Sequence, residues 1–192
     1  MMPVPIALVT GVVLAAWPVL IWLGITRGQM RWLAPVLGLL LLARLWSLRG
    51  AAAGASPLRA LILPGTAGGA ALVLASLLLR QQGLLLYYPV VVNAVLLAVF
   101  AVSLWHGRPL IERIARMRTP NLPAAAVTYT RRVTQVWVVF FALNAAVALQ
   151  SCLSNDLDWW ALWNGGIAYG LMGGLMVIEY GVRYRMIRRA GM

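Results

Sequence analysis

Few residues in this chain could carry covalent chemistry: one histidine, His106, one cysteine, Cys152, and four acidic side chains, Glu112, Asp156, Asp158 and Glu179. A cysteine becomes an effective nucleophile only beside a base or a cation, and catalytic zinc or two-metal centres need three or more protein ligands. His106 closes one apolar segment and Cys152 lies near the far end of the next, so about 30 Å of hydrocarbon is expected between them. The acids divide the same way, Glu112 and Glu179 to one side, Asp156 and Asp158 to the other. No phosphate-cradling or dinucleotide glycine pattern occurs in the strand-to-helix context it requires. Hydrolytic, redox and metal chemistry are therefore not expected. The chain reads as a non-enzymatic protein without a cofactor.

Arginine offers a different chemistry. The stretch HGRPLIERIARMRTPNLPAAAVTYTRR, residues 106–132, holds six of the sixteen arginines, and the chain has no lysine. A planar guanidinium grips phosphate or carboxylate through two parallel hydrogen bonds. From Pro109 to Met117 the spacing predicts a short interfacial helix, with Leu110, Ile111, Ile114 and Met117 on one face and Glu112, Arg113 and Arg116 largely on the other. Thr119–Pro123 breaks that helix, and a second starts at Ala124 and runs through Tyr129, Arg131 and Arg132 into apolar sequence. Arg113, Arg131 and Arg132 are the expected holders of an anionic headgroup, with Glu112 and Glu179 orienting them. The alternative is that these arginines serve only to orient helices in the bilayer.

The elements that must position these groups are membrane helices. Hydrophobic residues make up 62% of the chain and charged residues 10%, against about 25% charged in soluble domains. Six spans are expected, at about 4–25, 32–48, 59–79, 84–105, 133–153 and 159–181, joined by short turns and by the central loop 106–132. Thirteen arginines fall on the side of that loop and the C-terminal tail and three on the other, so the positive-inside rule puts both termini and the loop in the cytoplasm. The expected fold is thus all-α, one polytopic membrane domain over residues 1–192, N-in and C-in. The first apolar run is too long, and too poor in basic residues ahead of it, for a cleaved signal peptide. Placed as it is, the net charge of +12 suits anionic headgroups rather than nucleic acid. Membrane lipids are the expected partners.

Within the spans, Asn93, Asn144 and Asn164 fall at intermediate depth, with Tyr169 nearby. Amides in hydrocarbon seek interhelical bonds; a ligand pocket would further require the three to converge on a cavity. Pro18, Pro35, Pro64 and Pro89 are expected to shape their helices. Gly65 with Gly69, and Gly166, Gly170 and Gly174, form small faces that permit close helix approach, either inside the chain or in an oligomer.

The second half of the chain resembles an uncharacterised family of bacterial inner-membrane proteins met beside fatty-acid-synthase-like genes of aryl-polyene and xanthomonadin-type pigment clusters, sometimes labelled "ketosynthase". The resemblance covers residues 84–185 and rests on YPVVVN from Tyr88, PLIERIAR from Pro109, YTRRVT from Tyr129, FFALN from Phe140, WNGG from Trp163, and Glu179-Tyr180. It implies a multi-pass accessory to the synthesis, attachment or export of an acyl or polyene product. Its implied partners are lipids, soluble biosynthetic enzymes or an acyl carrier protein. A condensing enzyme's label does not suit the chain, since His106 and Cys152 are expected at opposite membrane faces. Three functions remain open: binding an anionic lipid or acyl intermediate, moving such a lipid between leaflets as a transporter or flippase, and recruiting soluble enzymes as a scaffold.

Overall fold

A computed structural model describes residues 16–28, 30–50 and 57–189. Among them every regular element is helical, as expected where a backbone must satisfy its own polar groups. The elements are α1 (Trp17–Thr26), α2 (Met30–Gly50), α3 (Pro57–Leu78), a 3-10 segment (Gln82–Tyr87), α4 (Tyr88–Trp105), α5 (Leu110–Arg116), α6 (Ala124–Leu153), α7 (Leu157–Leu162), a π turn (Trp163–Ile167) and α8 (Ala168–Arg189). Three continuous helical stretches are long and apolar enough to cross a membrane: Gly83–Trp105, Ala124–Leu153 and Leu157–Met186. Shorter apolar stretches lie at Trp17–Thr26, Pro35–Leu45 and Ile62–Leu78. Each of the six apolar segments of the sequence thus contains a helix. The first part of the first segment, residues 4–15, lies outside the described residues.

Two apolar clusters hold the helices together. In one, Trp17 and Ile21 of α1 meet Leu37 and Leu41 of α2, Ala70 and Val73 of α3, Leu85 and Trp160; the i, i+4 and i, i+3 spacings give each helix one buried stripe. The Trp17 and Tyr88 rings stack at 4.0 Å. In the other, Phe100 of α4 and Leu110 of α5 pack against Val133, Trp137 and Phe141, successive turns of one face of α6. Phe100 meets Phe141 edge-on at 5.2 Å. Asn93 faces Asn144 and Phe100 faces Trp137, so partners descend α6 as they ascend α4. The two helices are antiparallel.

The α3–α4 turn at Arg80 forms as expected, with a specific geometry. Gln81 N donates to the Ser76 carbonyl and Arg80 N to that of Leu77, while Arg80 has φ +52°. This is a Schellman ending whose left-handed position is filled by arginine instead of glycine. The prolines divide. Pro35 and Pro64 sit inside helices, whereas Pro18 and Pro89 occupy first-turn positions, where a missing N–H costs nothing. The α3–α4 approach depends on Gly68 and Gly69: a Cβ would meet Val91 at 2.8 Å from Gly68 and Tyr88 at 2.6 Å from Gly69, but nothing within 4 Å from Gly65. Gly166, Gly170 and Gly174 also have open space where a Cβ would stand. No other described helix closes on that face.

The PLIERIAR helix forms, as α5, but not with the expected faces. Glu112 is buried, 4% exposed, as is Leu110. The sequence pattern puts Glu112 on the outer face of an interfacial helix; instead α5 is docked against α3, α4 and α6, so neighbours cover it on more than one side. Its carboxylate is stabilised there by Arg116 Nε at 2.8 Å, with Arg108 Nε at 4.0 Å. The Arg116 guanidinium also donates to the Pro120 carbonyl over 2.8 Å, bracing the following turn. Ser103 Oγ accepts from the Leu110 amide at 3.0 Å and satisfies one orphan donor at the start of α5.

Candidate functional site

Arg132 lies 21 residues before the end of α6 at Leu153, about 32 Å along a helix axis. Glu179 lies 22 residues after Leu157, the start of α7, about 33 Å on the same measure. Both charges therefore stand roughly one hydrocarbon thickness from the acidic Asp156–Asp158 turn. At that turn Asp156 caps α7 by accepting from the Asp158 and Trp159 amides, and Trp22 Nε1 donates to Asp158 Oδ1 at 2.9 Å.

Between α6 and α8 runs a groove of about 440 Å³, within the size range of small-molecule sites. Val133, Val136 and Trp137 of α6 and Leu175, Ile178 and Val182 of α8 make its apolar walls. Its polar lining includes Thr128, Tyr129, Arg132 and Glu179. The Tyr129 hydroxyl donates to the Glu179 main-chain carbonyl at 3.1 Å and ties the two helices together. Arg132 lies one turn further along α6, exposed, and makes no ion pair among the described residues. The Glu179 carboxylate, half-buried, likewise has no ion-pair partner there.

The expected arginine cluster is divided. Arg132 lines the groove, but Arg131 points elsewhere, donating to the Leu104 carbonyl near the end of α4 at 3.4 Å. Successive helical residues are turned by about 100°; the groove face runs from Arg132 toward Val133, and Arg131 lies on the other side of Arg132, toward α4. Arg113 is exposed on α5 and does not line the groove. Glu112 pairs with Arg116, not with Arg113, Arg131 or Arg132. Tyr129 and Trp137 join the groove although the sequence marks them only by position: residues 129, 132, 133, 136 and 137 fall on one face of a helix.

A second cavity, of about 130 Å³, lies between the first half of α4 and the start of α8, with Asn144 of α6 at its border. Asn93, Asn144, Asn164 and Tyr169 all border it, so the intramembrane polar residues do converge. The three amides also make hydrogen bonds, Asn93 and Asn144 to each other and Asn164 to neighbouring helical residues. Asn93 Nδ2 donates to the Pro89 carbonyl at 2.8 Å, Asn144 Nδ2 to Asn93 Oδ1 at 2.9 Å, and Trp163 Nε1 to Asn144 Oδ1 at 3.1 Å. Asn164 Nδ2 donates both to Ser151 Oγ at 3.0 Å and to the Trp160 carbonyl at 2.9 Å. The π turn, which carries Asn164 next to Gly165 and Gly166, is a type of widening frequent beside functional sites.

Cys152 donates its thiol to the Leu86 carbonyl at 3.2 Å, a carbonyl shared with Trp160 Nε1 at 3.0 Å. His106 follows the other end of α4. The full length of that 18-residue helix, about 27 Å, lies between them. Among the described residues no three of His, Cys, Asp and Glu come together as a metal site would require. No family model, curated protein or solved structure matches this chain.

Proposed function

We propose that this is a six-span protein of the bacterial inner membrane, with both termini in the cytoplasm, that binds the anionic group of a lipid or acyl intermediate in the α6–α8 groove. The arginine asymmetry and the six apolar helical segments support the topology. The single observation that carries the ligand reading is the Arg132 guanidinium, without an ion pair among the described residues, on an apolar groove at one membrane thickness from the opposite turn. Guanidinium at the headgroup level and apolar walls beside it suit an amphiphile: the anion takes charge-assisted hydrogen bonds while its chain lies along Val136, Trp137 and Leu175. Under this reading the protein performs no covalent step. It serves as an accessory in the handling of an acyl or polyene product, which agrees with the resemblance of residues 84–185.

Native mass spectrometry of the detergent-purified protein tests it. Wild-type protein is expected to retain a lipid or acyl adduct that Arg132→Gln removes and Arg131→Gln leaves in place. Equal retention by all three proteins would eliminate the groove as the site.

A second reading, lipid transport, is favoured by one observation: groove and amide-lined cavity both border α8, the cavity at Ala168–Met172 and the groove from Leu175 onward. It requires the Asn93–Asn144–Trp163 chain of bonds to open. Bridging Asn93 and Asn144 covalently as a cysteine pair would then stop transport while sparing binding.

A further inference from the structure

Glu179 presents a puzzle in the groove. A half-buried carboxylate with arginines on the same groove and the next helical turn is well placed for a charge-assisted hydrogen bond, yet neither Arg132, which lines the same groove, nor Arg183 one turn further along α8 forms an ion pair with it among the described residues. A Glu followed four residues later by Arg is the favourable orientation for a helical pair, and it is not used here. Among the described residues the groove therefore presents Arg132 as a cation and Glu179 as an anion, neither in an ion pair, beside apolar walls, with Tyr129 fixing the backbone that carries the anion. A purely anionic headgroup would satisfy Arg132 and leave Glu179 facing a like charge.

We infer that the groove selects a zwitterionic lipid whose phosphate is held by Arg132 and whose primary ammonium is held by Glu179, as in a phosphoethanolamine headgroup. This rests on the lipid-binding reading of the same groove and narrows its ligand class. A primary ammonium donates up to three hydrogen bonds to a carboxylate; a quaternary trimethylammonium donates none. The site thus separates phosphatidylethanolamine from phosphatidylcholine as well as from phosphatidylglycerol, which has no amine.

The test is native mass spectrometry of the full-length, delipidated protein titrated with these three lipids carrying identical acyl chains. Wild type is expected to favour phosphatidylethanolamine over each of the others by about fivefold, the scale of one partly exposed charge-assisted contact. Glu179→Gln, which keeps the backbone bond to Tyr129, should erase that preference without weakening phosphatidylglycerol, and Glu179→Asp should restore part of it. Arg132→Gln should weaken all three alike. Equal affinities in wild type, or a preference that survives Glu179→Gln, overturns the inference while leaving lipid binding intact. Failure of all three lipids to bind, or indifference to Arg132→Gln, overturns the groove reading and this inference together.

Discussion

The Asn144 side-chain amide donates to Asn93 Oδ1 over 2.9 Å, joining α6 to α4 through a contact buried at both ends. Asn144 Oδ1 in turn accepts from Trp163 Nε1, so one residue links three helical stretches. Interhelical amide bonds in membranes contribute about 0.6–2 kcal/mol. Asn93→Leu and Asn144→Leu are each expected to lower stability, and the double variant to lose less than their sum by about that amount. A double-mutant cycle read by thermal unfolding in detergent checks it; strict additivity would mean that the contact contributes nothing.

Glycine substitutions should separate the two small-residue faces. Gly69→Ala drives a methyl into the Tyr88 ring, which is itself stacked on Trp17, and overpacking of this kind costs about 1–3 kcal/mol. Gly170→Ala meets open space and should leave the monomer as stable as wild type or slightly more so. If Gly170→Ala instead abolishes a dimer seen by light scattering, that face is an oligomer contact.

Glu112 and Arg116 should respond unequally. Their side chains are 5% and 23% exposed, so Arg116→Ala strands a buried carboxylate, whereas Glu112→Ala frees an arginine that already reaches water. Removing one partner of a fully buried pair costs about 3–5 kcal/mol. Arg108 can move toward Glu112, so Arg116→Ala is expected to cost about 2 kcal/mol, more than Glu112→Ala. Equal losses in melting experiments would contradict this arrangement.

Arg80 predicts a gain. It holds a left-handed backbone conformation that costs a side-chain-bearing residue about 1–2 kcal/mol, while glycine adopts it freely. Arg80→Gly should raise stability by about 1 kcal/mol, measured as a higher melting temperature; a lower one would show that the exposed arginine side chain makes a compensating contact.

By itself the sequence determined that this chain is helical, where its apolar segments begin and end, and that its arginines crowd the ends of alternate segments. Those properties come from composition and local spacing, because a run of apolar residues near 20 in length has few alternatives to a helix in hydrocarbon. The Asn93, Asn144, Asn164 and Tyr169 set was also legible, since polar groups stand out against apolar sequence, and the tertiary structure brings all four to one cavity. What only the tertiary structure decided is rotation about each helix axis and the choice of partner. It turned Arg132 into the groove and Arg131 away, buried Glu112 on a helix whose pattern puts it outside, and, of the Gly65 and Gly69 pair, used Gly69 for the close α3–α4 approach with Gly68 in place of Gly65. In a segment apolar on all sides no hydrophobic stripe fixes which face turns inward. The facing is set by side-chain packing between helices distant in sequence, such as the Phe100, Trp137 and Phe141 cluster.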